Sequence, residues 1–136
     1  MILPLTRGRR RRRCPRGAGS QPSRLVAQAP LGNNDELKAY DPVADNWTTK
    51  TSLPTGRWQL AGAAINGILY AVGGDNNAGD IFATLEAYDP ATDTWTTKAS
   101  MPTARHSLAG VAINGILYAV GGFNAGYMAT LEAYHP

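Results

Sequence analysis

Few residues in this 136-residue chain are able to do chemistry. Two histidines, His106 and His135, and one cysteine, Cys14, are its whole supply of imidazole and thiol. A transition-metal centre needs such ligands clustered together, and these three stand far apart with Cys14 in an arginine-rich segment, so neither a metal nor a cofactor is expected. A single cysteine also leaves no internal disulfide, and the redox compartment stays open. Gly73-Gly74 and Gly121-Gly122 each end an apolar run, but no Lys-Ser/Thr pair or helical pattern follows them, so they are not phosphate-cradling loops. Recognition chemistry remains. Arg57 and Arg105 carry guanidinium groups suited to carboxylates, and Trp58 and His106 beside them differ between two otherwise matching stretches. Asn76, Phe123, Asn124 and Tyr127 lie in the variable segments that follow the double glycines.

The elements that position these residues are repeats. RWQLAGAAINGILYAVGG at Arg57 to Gly74 returns as RHSLAGVAINGILYAVGG at Arg105 to Gly122. Aligned outward, Leu37 to Gly74 matches Leu85 to Gly122 at 28 of 38 positions, and a third copy opens at Leu131 with LEAYHP. The period is 48 and then 46 residues, the difference falling where ten residues after one glycine pair become eight after the next. Length variation in a loop beside fixed strands is ordinary.

Local chemistry gives the strands. Asn66-Gly67 and Asn114-Gly115 between apolar runs predict two-residue hairpins, since a type I′ turn needs positive φ at both central positions. Ile116 to Val120 is apolar on both alternating faces, which predicts a strand covered on both sides. LEAYDP supplies a third strand closed by Asp89-Pro90, and Thr94 to Lys98 a fourth. Each copy is therefore four antiparallel strands in roughly 46 residues, the length of one propeller blade.

The set GILYAVGG, LEAYDP, Trp95 and Trp47 at matched distances after Tyr88 and Tyr40, and the following MPTAR resembles the kelch repeat of β-propellers. The resemblance runs from Leu37 to Pro136. It implies an all-β fold: an incomplete kelch-type propeller of four-stranded antiparallel blades in an open arc, with Leu108 to Ile113 innermost and Trp95 to Lys98 outermost. Tyr40, Tyr88, Tyr70, Tyr118, Trp47 and Trp95 then read as blade-packing residues, and Gly73, Gly74, Gly121 and Gly122 as the motif glycines. The strand count is two, four and three, which divides the chain into a partial blade at 31–53, a full blade at 54–101 and a partial blade at 102–136. Nine strands cannot close a ring of typically four to eight four-stranded blades. The chain reads as a fragment of a longer propeller, with self-association to complete a ring as the other reading.

Charge divides the chain differently. Residues 1–30 hold eight arginines and no acid, whereas residues 31–136 hold five basic and ten acidic groups. The first segment, rich in Arg, Pro, Gly and Ser, is expected to be a disordered basic tail. Nucleic acid would be met only through Arg9 to Arg13, and the plainer reading of that run is a solvated tail. Leu25 to Asn34 reads as a decayed second strand. Met1 to Leu5 is too short for a secretory signal, and no apolar stretch approaches about 18 residues, so no membrane span is expected. Localisation is not assigned.

The function expected is an interaction module without catalysis, holding a protein or peptide partner on its inter-blade loops. In kelch domains that recruit partners, the arginine at this place in the motif contacts an acidic peptide or another ligand, which the resemblance carries to Arg57 and Arg105. The competing expectation is a surface pair between each arginine and a loop carboxylate such as Asp75 or Asp80. Kelch propellers also include copper-radical oxidases and sialic acid mutarotases. The oxidase ligands are missing, while a secreted sugar-binding or sugar-isomerising propeller using Arg57, Arg105 and His106 is the alternative function.

Overall fold

Residues 35–136 are described by a computed structural model. The expected disordered tail, its Arg9 to Arg13 run and the decayed strand at Leu25 to Asn34 lie outside the described residues. Nine strands follow in order: β1 Leu37–Asp41, β2 Asn46–Lys50, β3 Ala61–Ile65, β4 Ile68–Val72, β5 Leu85–Asp89, β6 Thr94–Lys98, β7 Ala109–Ile113, β8 Ile116–Val120 and β9 Leu131–Tyr134. They form three antiparallel sheets, β1-β2, β3-β4-β5-β6 and β7-β8-β9. Among the described residues no helix is long and apolar enough to cross a membrane.

The turns have the local chemistry that their residues dictate. Asn66 and Gly67 sit at φ 51° and 81°, and Asn114 and Gly115 at 51° and 78°, so both central positions of each hairpin are left-handed. The β1–β2 and β5–β6 turns use an aspartate instead. Asp89 Oδ1 accepts the Ala91 N–H at 2.8 Å, and Asp41 Oδ1 accepts the Val43 N–H at 2.8 Å.

The register repeats from sheet to sheet. Val72 stands opposite Leu85 as Val120 does opposite Leu131, and Leu69 opposite Tyr88 as Leu117 does opposite Tyr134. The core lies between the second and third sheets and gathers Ala61, Ile65, Tyr70, Val72, Leu85 and Ala87 with Leu108, Leu117 and Ala119. The first strands of these two sheets approach closely at Gly110, where an added Cβ would lie 2.9 Å from the Ala61 Cβ. Glycine permits that approach, which any other side chain would hold apart.

Burial separates copies that the sequence makes equal. In β4, Tyr70, Ala71 and Val72 are consecutively buried, so both faces of the strand are covered. In β8 only Leu117 and Ala119 are buried, while Val120 is 39% exposed. Two-sided cover of Ile116 to Val120 is therefore corrected to one-sided cover: among the described residues no sheet packs on its second face. Trp47 and Trp95 part in the same way. Trp95 stacks on Tyr88 at 5.1 Å between ring centroids and donates Nε1–H to the Thr51 carbonyl at 2.8 Å. Trp47 stacks on Tyr40 at 5.2 Å but is 65% exposed, because no described linker crosses its other side.

Candidate functional site

Arg57 and Arg105 leave the end of one sheet and begin the next, and both side chains turn inward. Neither guanidinium has solvent exposure. Arg57 donates Nε–H to the Thr55 carbonyl at 3.0 Å, one NH1 hydrogen to the Gly73 carbonyl at 3.0 Å, and NH2 to Glu86 Oε2 at 2.9 Å. It also bonds the Thr84 hydroxyl, and its Cζ lies 4.8 Å from the centre of the Phe82 ring. Glu86 Oε1 accepts from the Thr55 hydroxyl at 3.1 Å. Arg105 repeats the pattern with the Thr103, Gly121 and Thr130 carbonyls and the Glu132 carboxylate.

These contacts overturn both expectations for the arginines. They do not pair at the surface with Asp75 or Asp80, and they offer no donor to an acidic peptide. Each one fastens the end of a second strand and the start of a third to the linker that begins its own sheet. Burial lowers the Arg57 pKa from its ordinary value, and the neighbouring Glu86 carboxylate opposes that shift. Lys38 stands in β1 where Glu86 and Glu132 stand in the later copies, and it pairs instead with exposed Glu36. The recurrence of arginine with glutamate in the two later copies was the sequence signal for this bond.

The double glycines serve the same junction. Gly73 and Gly74 have φ of 67° and 97°, and the Gly74 N–H donates to the Arg105 carbonyl at 2.9 Å. A Cβ on Gly73 would lie 2.6 Å from that same oxygen, so the second sheet meets the third through bare backbone.

Beyond the arginines, the chain forms an edge that holds several of the other candidates. Trp58 pairs with Asp75 by two backbone hydrogen bonds of 2.9 and 3.0 Å, and His106 pairs likewise with Phe123 at 3.1 and 2.9 Å. Gln59 and Ser107 follow at φ 52° and 53°, strained positions for residues with side chains. They join the two sheets: the Ser107 N–H donates to the Gln59 carbonyl at 2.9 Å, and His106 Nδ1 lies 2.7 Å from Gln59 Oε1. Aromatic rings continue outward, with His106 against Phe123 at 5.5 Å and Phe123 edge-on to Tyr127 at 5.5 Å. Tyr127 is 97% exposed, and Trp58 is 42% exposed.

The structure thus brings together His106, Phe123 and Tyr127, with Trp58 joined to them through Gln59. Asn76 and Asn124 hold the loops. Asn76 Oδ1 accepts the N–H groups of Ala78 and Asp80, and Asn124 Nδ2 donates to the Ala104 carbonyl at 2.8 Å. Gln59 and Ser107 were missed as site residues, although Trp58-Gln59 against His106-Ser107 is the one place where two adjacent positions differ within the inner part of the repeat. Among the described residues no three of His, Cys, Asp and Glu gather where a metal ion could be held.

The three sheets, their common register and the backbone junctions at the double glycines define a partial β-propeller. The Kelch motif matches residues 59–102 and 104–136, more than half of the chain, and the chain belongs to the kelch family. Among solved structures it is similar to YjhT, with 30% sequence identity and a TM-score of 0.53. That match covers 58% of this chain and 25% of the YjhT chain, so this chain spans only part of the length of the structure it matches.

Proposed function

We propose that these repeats are an interaction module that binds a protein or peptide partner through the edge formed by Trp58, Gln59, His106, Ser107, Phe123 and Tyr127. The observation that carries the reading is the aromatic series from His106 through Phe123 to Tyr127, which ends on a ring almost wholly in solvent. Exposed aromatic rings on loops held by a rigid sheet are typical anchors for a partner. Asn76 and Asn124 shape the loops around them.

Burial of the arginines changes the partner expected. Residues 31–136 carry ten acidic groups against five basic ones, and two of those five are Arg57 and Arg105, neutralised internally by Glu86 and Glu132. The surface left is acidic. It favours a segment that presents an apolar or aromatic side chain with cationic or hydrogen-bond-donating neighbours, rather than an acidic peptide. A sugar-isomerising site built on Arg57, Arg105 and His106 loses two of its three groups to the same burial.

The test places a photoreactive benzoylphenylalanine at Tyr127 and, in a second protein, at Thr92 in the β5–β6 turn. A discrete protein adduct is expected at 127, competed away by excess unlabelled chain, with none at 92. Equal labelling at both positions, or none at 127, would overturn the reading.

A further inference from the structure

The loop edge is made of two backbone ladders with the same geometry and different chemistry. In the third sheet's ladder His106 pairs with Phe123 and Phe123 with Tyr127, and in the second sheet's ladder Trp58 pairs with Asp75 and Asp75 with Ile81. Asp75 and Ile81 stand between two backbone bonds, from the Phe82 N–H to the Gly74 carbonyl at 2.8 Å and from the Asn76 N–H to the Asp80 carbonyl at 3.1 Å. Residues directly opposite in an antiparallel pair present their side chains to one face. The Asp75 carboxylate is therefore flanked by an indole and an aliphatic chain, at the place where the third sheet carries the Phe123 ring.

Asp75 has no counter-charge. Its Oδ1 is buried and accepts no hydrogen bond, while the residue as a whole is only partly buried. The salt bridges among the described residues go to Glu36, Glu86 and Glu132, and none reaches Asp75. A carboxylate that has lost water from one oxygen and gained no donor is costly to keep ionised. Its attraction for a cation at its open side is also less screened than that of a fully solvated acid.

The cross-strand neighbour gives the cation its shape. Trp58 is 42% exposed and stands beside the unpaired carboxylate. A guanidinium suits that pair, since its plane stacks on an indole while its N–H edge meets a carboxylate; an ammonium, a compact and strongly hydrated charge, makes less of the ring. On the reading of this edge as a partner-binding surface, we infer that Trp58 and Asp75 seat an arginine side chain of the partner. The second ladder then supplies charge recognition, and the third, with Phe123 and Tyr127, supplies apolar contact. The two are neighbours, because the Ser107 N–H donates to the Gln59 carbonyl one residue beyond His106 and Trp58.

The probe is Nα-acetyl-L-argininamide, whose guanidinium is its only charge, titrated into the isotope-labelled full chain and followed by NMR. The chain has three tryptophans, and the indole N–H signal of Trp58 is identified by its loss in Trp58→Phe. A saturable shift of that signal is expected, while the signal of Trp95, whose Nε1–H is held by the Thr51 carbonyl, stays in place. Asp75→Asn, which keeps the shape of the side chain, should bind at least about tenfold more weakly. The citrulline analogue, a neutral isostere, should not bind; that comparison uses the unaltered chain and stands even if Asp75→Asn fails to fold. No shift, an equal shift with the citrulline analogue, or undiminished binding by folded Asp75→Asn would overturn the seat. So would binding that emerges only once Arg9 to Arg13 are changed to glutamine, since the chain's own arginines would then fill it. The photoreactive residue at 127 keeps the wider reading separate. In an Asp75→Asn chain its partner adduct should fall, whereas an undiminished adduct would overturn the arginine seat and leave the interaction module standing.

Discussion

The same ion pair occurs twice in this protein, and its surroundings differ. Glu86 is 4% exposed at its side chain, with one oxygen bonded to Arg57 and the other to the Thr55 hydroxyl. Glu132 is 15% exposed, bonds Arg105 through one oxygen, and leaves Oε2 buried without a partner. The pairs are chemical copies, yet Glu86 lies in a sheet packed against neighbours, while Glu132 lies on β9, beside an open cavity. In a repeat protein the worth of a side chain depends on the next repeat as much as on its own.

The largest effect is expected from breaking the closed pair. Glu86→Ala leaves the Arg57 guanidinium buried without its counter-charge, a loss of about 3–5 kcal/mol in unfolding free energy. Glu132→Ala should cost less, about 1–3 kcal/mol, because water can reach the vacated side. Urea denaturation of the two variants checks the order, and a Glu132→Ala protein less stable than Glu86→Ala would break the comparison.

A somewhat smaller contrast is expected at the glycines. Gly73 and Gly121 have nearly equal φ, 67° and 63°, so alanine at either carries the same backbone strain, about 1–2 kcal/mol. Their surroundings differ: the Cβ would meet the Arg105 carbonyl oxygen at 2.6 Å in the first case and the Met128 carbonyl oxygen at 3.4 Å in the second. Gly73→Ala should therefore be the more destabilising by about 1–3 kcal/mol, since the two sheets must move apart. Equal melting temperatures for the two variants would show that the junction is not tight.

These contrasts mark what could be read from sequence. The hairpins at Asn66-Gly67 and Asn114-Gly115, the strands and their number are fixed by neighbours in the chain, so periodicity and turn chemistry reveal them. The Arg57–Glu86 bond is not local. Its partners stand 29 residues apart, and the carboxylate nearer in sequence, Asp75, is instead held through its backbone by Trp58. Nor does an identical motif report its own burial. Trp47 and Trp95 share the surrounding residues, and only the linker at Thr51 and Leu53 distinguishes the seat of one from the exposed ring of the other. The loop edge was legible as a place of variation, but not in its bonding. Gln59 joins the sheets through His106 and Ser107, contacts 47 and 48 residues apart in sequence.

The smallest effect concerns pH. Tyr88 donates its hydroxyl to Asp93 at 2.6 Å, and Asp93 also accepts the Thr51 N–H at 3.0 Å, tying the β5–β6 turn to the preceding linker. That bond to Asp93 pushes the Tyr88 pKa up from 10.0 to about 12, and the bond from Tyr88 holds Asp93 below its ordinary 3.8. The raised tyrosine contributes stability that is complete below pH 10.0 and lost as pH rises through about 12. The depressed aspartate contributes stability that is present above 3.8 and lost as pH falls below it. The melting temperature of the parent chain should exceed that of Tyr88→Phe across the neutral range and converge with it at both extremes. Tyr40→Phe should matter less, since Asp45 bonds the Tyr40 hydroxyl in an exposed turn.

Amide hydrogen exchange on the intact chain measures the difference between the sheets without altering a residue. If packing on both faces concentrates stability in the middle sheet, the amides of β4 and β5, together with the Gly74 N–H held by the Arg105 carbonyl, exchange most slowly, and those of β9 exchange well before them. Protection of β9 equal to that of β5 would contradict the account, because two copies of one motif would then be equally stable whatever packs beside them.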